Sequence, residues 1–304
     1  MQVGIRLPHF KQVALDPAQT APNVLVVARR AEELGFDSLW VGDHIVPPAG
    51  TLNQFGTVWY EALTTLAYVA SATSRVRLGT AVLVTPYRHP VLLGKMLATL
   101  DSLSGGRLDA GFGTGWLEPE FKALGLDSFA DRGAVTDDAL RTMKAMWCGE
   151  GIGVTTDDGG DYMFSPRPVQ PSVPIWIGGN SKRAARRVAE LGDGWMTVRP
   201  TFEEFEGMVG HLRGLCERAD RDPASIRLAV EQPFLLSDEP VREAPFLGSA
   251  DRIVDQLSAY AALGADSFLF DMFYSAPENE HVGVPEMLEE MQRFAEEIRP
   301  KLGT

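Results

Sequence analysis

The chain has 304 residues, 45% of them hydrophobic, enough to bury a large core as one α/β barrel or as two smaller domains. Its 41 acidic residues outnumber 28 basic ones, and the formal net charge of −13 argues against nucleic acid and anionic membranes, which both need a basic partner. With no CxxC around Cys148 or Cys216, no leader-like opening in MQVGIRLPHF and no membrane-length apolar run, the expectation is a soluble cytoplasmic protein with reduced thiols.

Strand-like and helix-like runs alternate from end to end. VGIRLP (3–8) reads as the first strand. Val24, Val27, Ala28, Ala31 and Leu34 recur at helical spacing over 21–34, and Gly35 supplies the stop. SLWV (38–41) is the second strand, 60–73 an Ala/Leu/Thr-rich helix, and VRLGTAVLV (76–84) the third strand. Pro90 opens a helix over 90–104 that Gly105-Gly106 ends, and RLDAGFG (107–113) is the fourth strand. A helix over 131–147 carries Ala139, Leu140, Met143, Met146 and Trp147 on one face. Residues 148–173, rich in Gly, Asp and Pro, break the rhythm and leave room for a short hairpin before the strand PIWIG (174–178). The pattern resumes with helix 181–191, strand 194–198, helix 202–219, strand 226–230, helix 249–263, strand 267–271 and a closing helix over 284–299.

Three segments repeat one grammar: ELGFDSLWV (33–41), ELGDGWMTV (190–198) and ALGADSFLF (262–270) each pass from helix end through Gly and Asp into an apolar strand. A helix that keeps returning to a buried parallel strand is a βα unit. Eight such units predict one (β/α)8 TIM barrel over 1–304, with insertions after strands 2, 4 and 7 and before strand 5. A doubly wound sheet is the runner-up, but no GxGxxG opens its first βα turn.

Barrel chemistry sits at the C-terminal ends of the strands. Those ends hold His9, Asp43-His44, the Thr85–His89 run, Gly113-Thr114-Gly115-Trp116, Gly178-Gly179-Asn180-Ser181, Arg199, Glu231 and Asp271. His9, His44, His89 and Asp271 could surround a metal, yet no HxH pair lies on a strand and no lysine ends one, so no metal is expected. The same lack of a strand-end lysine counts against a Schiff-base aldolase. IWIGGNSKRAARR (175–187) offers a phosphate cradle of glycine amides at a helix N-terminus, or simply a βα turn that Ser181 caps.

WVGDH, RLGTAVLVTPYRHPVLLGKMLATLDSLSGGRL, GFGTGWLEPEFKALG and PIWIGGNSKRAARRVAELGDGW, in that order, resemble the bacterial luciferase-like flavin and deazaflavin oxidoreductases, and within them the coenzyme F420-dependent branch. The resemblance implies a cofactor ring in the barrel mouth, coenzyme F420 with FMN as the alternative. It implies a bulge in strand three, with a non-prolyl cis bond at Ala81–Val82, behind that ring. It places Asp43 at the cofactor's polar edge and His44 facing the substrate, where a side chain that titrates near neutrality can give or take a proton. Thr114 and Gly115 match cofactor contacts, and Gly178, Gly179, Asn180 and Ser181 the phosphate cradle. Lys182, Arg183, Arg186 and Arg187 add positive charge, part of it solvated surface.

One residue departs from the pattern: where the sugar-phosphate dehydrogenase branch carries a catalytic glutamate after its GTG, this chain has Trp116. An indole cannot do a carboxylate's acid–base work, so glucose 6-phosphate is in doubt and an apolar pocket walled by Trp59, Tyr87 and Trp116 is expected. Glu120, four residues on, is a candidate replacement carboxylate. The expected activity is hydride transfer between the deazaflavin and a small organic substrate. The alternatives are an FMN-dependent monooxygenase, a cofactor-binding barrel without turnover and, last, a metal-dependent hydrolase. The expected partners are that small molecule and a second copy of the chain, with neither nucleic acid nor membrane.

Overall fold

The computed structural model describes residues 1–10, 19–51, 58–149, 163–239, 244–272 and 283–302. From β1 (Gln2–Arg6) the chain runs through α1 (Thr20–Glu33), β2 (Ser38–Val41), α2 (Ala62–Ala70), β3 (Arg77–Thr80), β4 (Leu83–Val84), α3 (Pro90–Ser104) and β5 (Leu108–Gly113). It continues with α4 (Glu118–Ala123), α5 (Arg132–Cys148), β6 (Ile175–Gly178), α6 (Lys182–Leu191), β7 (Gly194–Val198), α7 (Phe202–Arg218) and β8 (Arg227–Pro233). β9 (Leu235–Leu236), β10 (Leu247–Gly248), α8 (Ala250–Ala262), β11 (Ser267–Asp271) and α9 (Val284–Arg293) complete the order.

The sheet order is β3-β2-β1-β11-β8-β7-β6-β5-β4, every pairing is parallel, and β3 also pairs with β5. That last contact closes the ring. β3 and β4 are one barrel strand interrupted at 81–82, so the ring has eight strand positions and is the expected TIM barrel.

The repeated Gly-Asp grammar has a physical cause. Asp37, Asp193 and Asp266 each accept, through Oδ2, the first free amide of a neighbouring strand: Val3 N at 2.8 Å, Ile175 N at 2.9 Å and Leu228 N at 3.0 Å. An aspartate just before a strand therefore satisfies a donor that the parallel ladder leaves open, and fixes the register there.

Alternation along the strands splits the apolar residues into two cores. Val3, Ile5, Leu39, Val41, Ile175, Ile177, Phe268 and Phe270 join the large layer between strands and helices. Trp40, Ala81, Trp176, Met196, Ala229 and Leu269 fill the barrel interior, where the Trp40 and Trp176 rings meet edge to face at 6.0 Å. Gly79 leaves the space for this, since a Cβ there would stand 2.1 Å from Trp40.

Several boundaries differ from the sequence reading, each for a local reason. The helix expected over 60–73 starts at Ala62 because Glu61 takes the N-cap and accepts Thr64 N. Ser181 likewise caps α6 rather than belonging to it. The closing helix leaves α geometry at Phe294 and continues as a π-turn to Ile298. The short helix α4 and the β9–β10 pair were not anticipated, being too brief to show a period. The hairpin envisaged within 148–173 falls mainly on 150–162, outside the described residues. No described helix is long and apolar enough to cross a membrane.

Candidate active site

Strand three supplies the centre of the barrel mouth. The Ala81–Val82 peptide is cis, at the bond the resemblance implied. Val82 turns its isopropyl group toward β5 and β6, which answer with glycines. A Cβ on Gly113 would lie 2.5 Å from Val82 Cγ2, and one on Gly178 2.6 Å from Cγ1. Val82 packing alone therefore requires a glycine at 178.

In front of this bulge lies a cavity of about 180 Å³. Asp43, His44, Ala81, Val82 and Gly115 line it, together with Arg6, Gly42, Trp59, Val84, Tyr87, Trp116 and Leu117. The structure so gathers five of the expected site residues and the three expected aromatic walls. Thr114, Gly178, Gly179, Asn180 and Ser181 lie outside this lining.

His44 is bound to Glu120. Its Nδ1 lies 2.8 Å from Glu120 Oε2, which also accepts the Tyr87 hydroxyl at 2.9 Å. The other oxygen, Oε1, accepts the amides of Ile45 and Val46, the latter at 2.9 Å. Burial alone would raise this carboxyl, but the bonds from His44, Ile45 and Val46 outweigh it and hold Glu120 below the usual carboxylate range. Burial and the adjacent Glu120 charge push the Tyr87 phenol well above its ordinary value, so it stays a donor. An ionised Glu120 can accept only, so His44 donates to it through a proton on Nδ1. Trp59 and Trp116 stand edge-on to the imidazole at centroid distances of 4.8 and 6.2 Å. α4 delivers Glu120 because Leu117–Ala123 fold back over the mouth, burying Glu120 and Phe121.

The other strand-end histidines are engaged elsewhere. His9 is fully buried, with Nδ1 on Leu7 O at 2.9 Å and Nε2 accepting Gly42 N at 3.0 Å. Burial lowers its pKa to about 4, leaving it a neutral brace between β1 and β2. His89 caps α3 by accepting Val91 N. Among the described residues no three His, Cys, Asp or Glu side chains gather as a metal site.

At the β6–α6 turn, Gly179 has φ of 107° and nothing within 4 Å of where a Cβ would be, so its outer face is open to a ligand. Ser181 Oγ accepts Ala184 N, and the Asn180 carboxamide is spent on Val198 N and O at 2.8 and 2.7 Å. Arg186 and Arg187 both reach back to Asp137 on α5. Lys182 and Arg183 are exposed on the first turn of α6. The room beside Gly179, the first-turn amides and these two cations fit a phosphate-bearing cofactor.

Arg6 is the site residue that the sequence reading missed. It ends β1 and binds Glu231 on β8, Asp271 on β11 at 3.8 Å and the Ala81 carbonyl at 3.2 Å. A charge inside the otherwise apolar VGIRLP was its signal, since strands β1, β11 and β8 are neighbours and the other two end in carboxylates.

A family model for luciferase-like monooxygenases matches residues 1–244. An F420-dependent glucose-6-phosphate dehydrogenase of Kineococcus radiotolerans is 31% identical over 235 residues, 74% of this chain and 67% of that protein. The oxygenase component of a flavin-dependent trigonelline monooxygenase from Acinetobacter baylyi is 24% identical over 329 residues, 86% of each chain. The crystal structure of the monooxygenase RslO1 from Streptomyces bottropensis superposes with a TM-score of 0.81 at 22% identity, over 99% of both chains. The match over four fifths of the sequence and the shared barrel place this chain in the luciferase-like monooxygenase family.

Proposed function

We propose that the chain is an oxidoreductase that moves a hydride between coenzyme F420 and a small organic substrate, with His44 handling the accompanying proton. The observation that carries this reading is the His44–Glu120 pair, 2.8 Å apart, on the wall of a cavity in the barrel mouth. When bound, the deazaflavin supplies the centre that accepts or donates the hydride. His44 takes a substrate proton on its imidazole, and Glu120 steadies the imidazolium that results. The protonated ring returns that proton in the reverse direction. Trp59, Trp116, Tyr87 and Leu117 wall the site with largely apolar surface, whose low polarizability strengthens the charge interaction between His44 and the buried Glu120. The turn at Gly179, with Lys182 and Arg183, holds the phosphate.

Identity to the F420-dependent relative, at 31% against 24% for the flavin-dependent one, supports the deazaflavin. An FMN-dependent monooxygenase is the second reading, favoured by the flavin-dependent relative's longer match, 86% of both chains. Parallel fluorescence titrations with F420 and with FMN separate them. Tighter binding of F420, to a protein isolated without bound cofactor, is expected. A yellow, FMN-loaded protein as purified overturns the deazaflavin assignment.

A further inference from the structure

Arg6 forms the floor of the cavity in an unusual state for a buried guanidinium. The residue is only 9% exposed. Nη2 donates to Glu231 and to Ala81 O, and Nε lies 3.8 Å from Asp271. Among the described residues nothing accepts from Nη1, and Arg6 is part of the cavity lining. The glycine in front of it keeps that donor reachable: a Cβ on Gly42 would stand 3.0 Å from Nη1 and 3.5 Å from Trp59.

The geometry points to Arg6 Nη1 as a binding donor for a neutral carbonyl oxygen, carried either by the pyrimidinedione edge of the bound cofactor or by the substrate. The carbonyl, rather than an anion, follows from the surroundings. Glu231 and Asp271 already balance the guanidinium, and Asp43 and Glu120 stand on the same mouth. A second anion would meet more negative than positive charge, whereas a carbonyl needs only the N–H. A cationic donor that faces the cavity gains a charge-assisted hydrogen bond when a ligand oxygen meets it. Two carboxylates and one carbonyl, from three other barrel strands, hold the fork still, so the donor is aimed before anything binds.

This inference rests on the cavity being the cofactor and substrate site, and Gly42→Ala tests it without dismantling the ion cluster. The added methyl group covers Nη1 and leaves Glu231 and Asp271 paired. Arg6→Lys is the companion variant, keeping the charge but losing the fork. F420, FMN and cyclohexanone serve as probes, the first two by fluorescence titration and the ketone by saturation-transfer NMR on protein with and without cofactor. Circular dichroism melts establish that each variant is folded.

If the cofactor supplies the carbonyl, both variants weaken F420 and FMN alike by roughly 10- to 100-fold, the usual worth of a hydrogen bond to a charged group. Equal losses for the two cofactors keep this outcome separate from the choice between them. If the substrate supplies it, cofactor affinity holds and only the ketone signal falls. Folded Gly42→Ala that binds all three probes as tightly as wild type overturns the proposal, as does a wild type that binds none of them.

Discussion

Asp43 and Arg88 meet in a two-pronged ion pair, Oδ2 to Nη1 at 2.7 Å and Oδ1 to Nη2 at 2.9 Å, and Asp43 Oδ2 also accepts Val84 N at 2.9 Å. The carboxylate that the resemblance set at a cofactor's edge thus ties β2 to the strand-three bulge and to the turn before α3. Arg88 also binds Glu61, the N-cap of α2, so a single guanidinium pins three segments around the mouth. Asp43 holds the site in shape.

Removing that carboxylate should therefore cost stability. Asp43→Ala strips a buried arginine of its bidentate partner, a change that costs about 3–5 kcal/mol when no other partner remains. Glu61 stays, and the expected loss is accordingly about 2–3 kcal/mol, read from urea midpoints at constant m-value. A variant as stable as wild type would show that the pair contributes nothing net.

His9 should make the fold acid-sensitive. Its imidazole titrates near 4 in the folded protein, chiefly because it is buried, against 6.5 when free. Between those values the unfolded chain binds a proton that the folded one refuses. Stability is therefore complete above pH 6.5 and declines as pH falls toward 4, by up to about 1.4 kcal/mol per pH unit from this group. His9→Asn keeps a donor and an acceptor and cannot be protonated there. Its urea stability is expected to fall less between pH 7 and pH 5 than that of wild type; parallel declines would remove His9 from the effect.

Gly179→Asp should abolish cofactor binding. At φ of 107° any side chain strains the backbone, so Gly179→Asn is the control: nearly the same shape, with no charge. Both variants are expected to lose similar stability by thermal melt. Only the aspartate adds an anion to the open face beside the α6 N-terminus, and only it should eliminate F420 titration. Equal binding by the two variants would put the phosphate elsewhere.

The barrel was legible in the sequence because its signals are local. A glycine stop and an aspartate cap lie within three residues of each other, and Gly35 and Gly264 do take the positive φ that such a stop needs. Gly192, in the same repeat, does not; its φ is −88°, and it is small because a Cβ would crowd Ile177 and Val188. The site was legible only where one short motif carried it. Asp43-His44 and Ala81-Val82 were placed at the mouth by their own segments. Arg6 with Glu231, 225 residues apart, and Asp43 with Arg88, 45 apart, are partners that only strand order and turn geometry bring together. Nothing in IWIGGN reveals that Val82 packs on Gly178.

His44 and Glu120 separate an enzyme from a binder. If His44 moves a proton, His44→Ala should lower turnover by roughly 10²–10⁴-fold and leave cofactor affinity nearly unchanged. Glu120→Gln isolates the carboxylate's part. The amide still accepts Ile45 or Val46, so the loop stays folded, but it offers His44 no negative charge. Its turnover should fall by about 10-fold or more, and the pH at which activity is half-maximal should move down, because the imidazolium has lost its counter-charge. A purely structural Glu120 would change KM or stability and leave that pH profile where it was. The test begins from a screen of enones and small alcohols with reduced or oxidised F420. Unchanged turnover in His44→Ala would take the histidine out of the reaction, leaving Glu120 or a bound water to handle the proton.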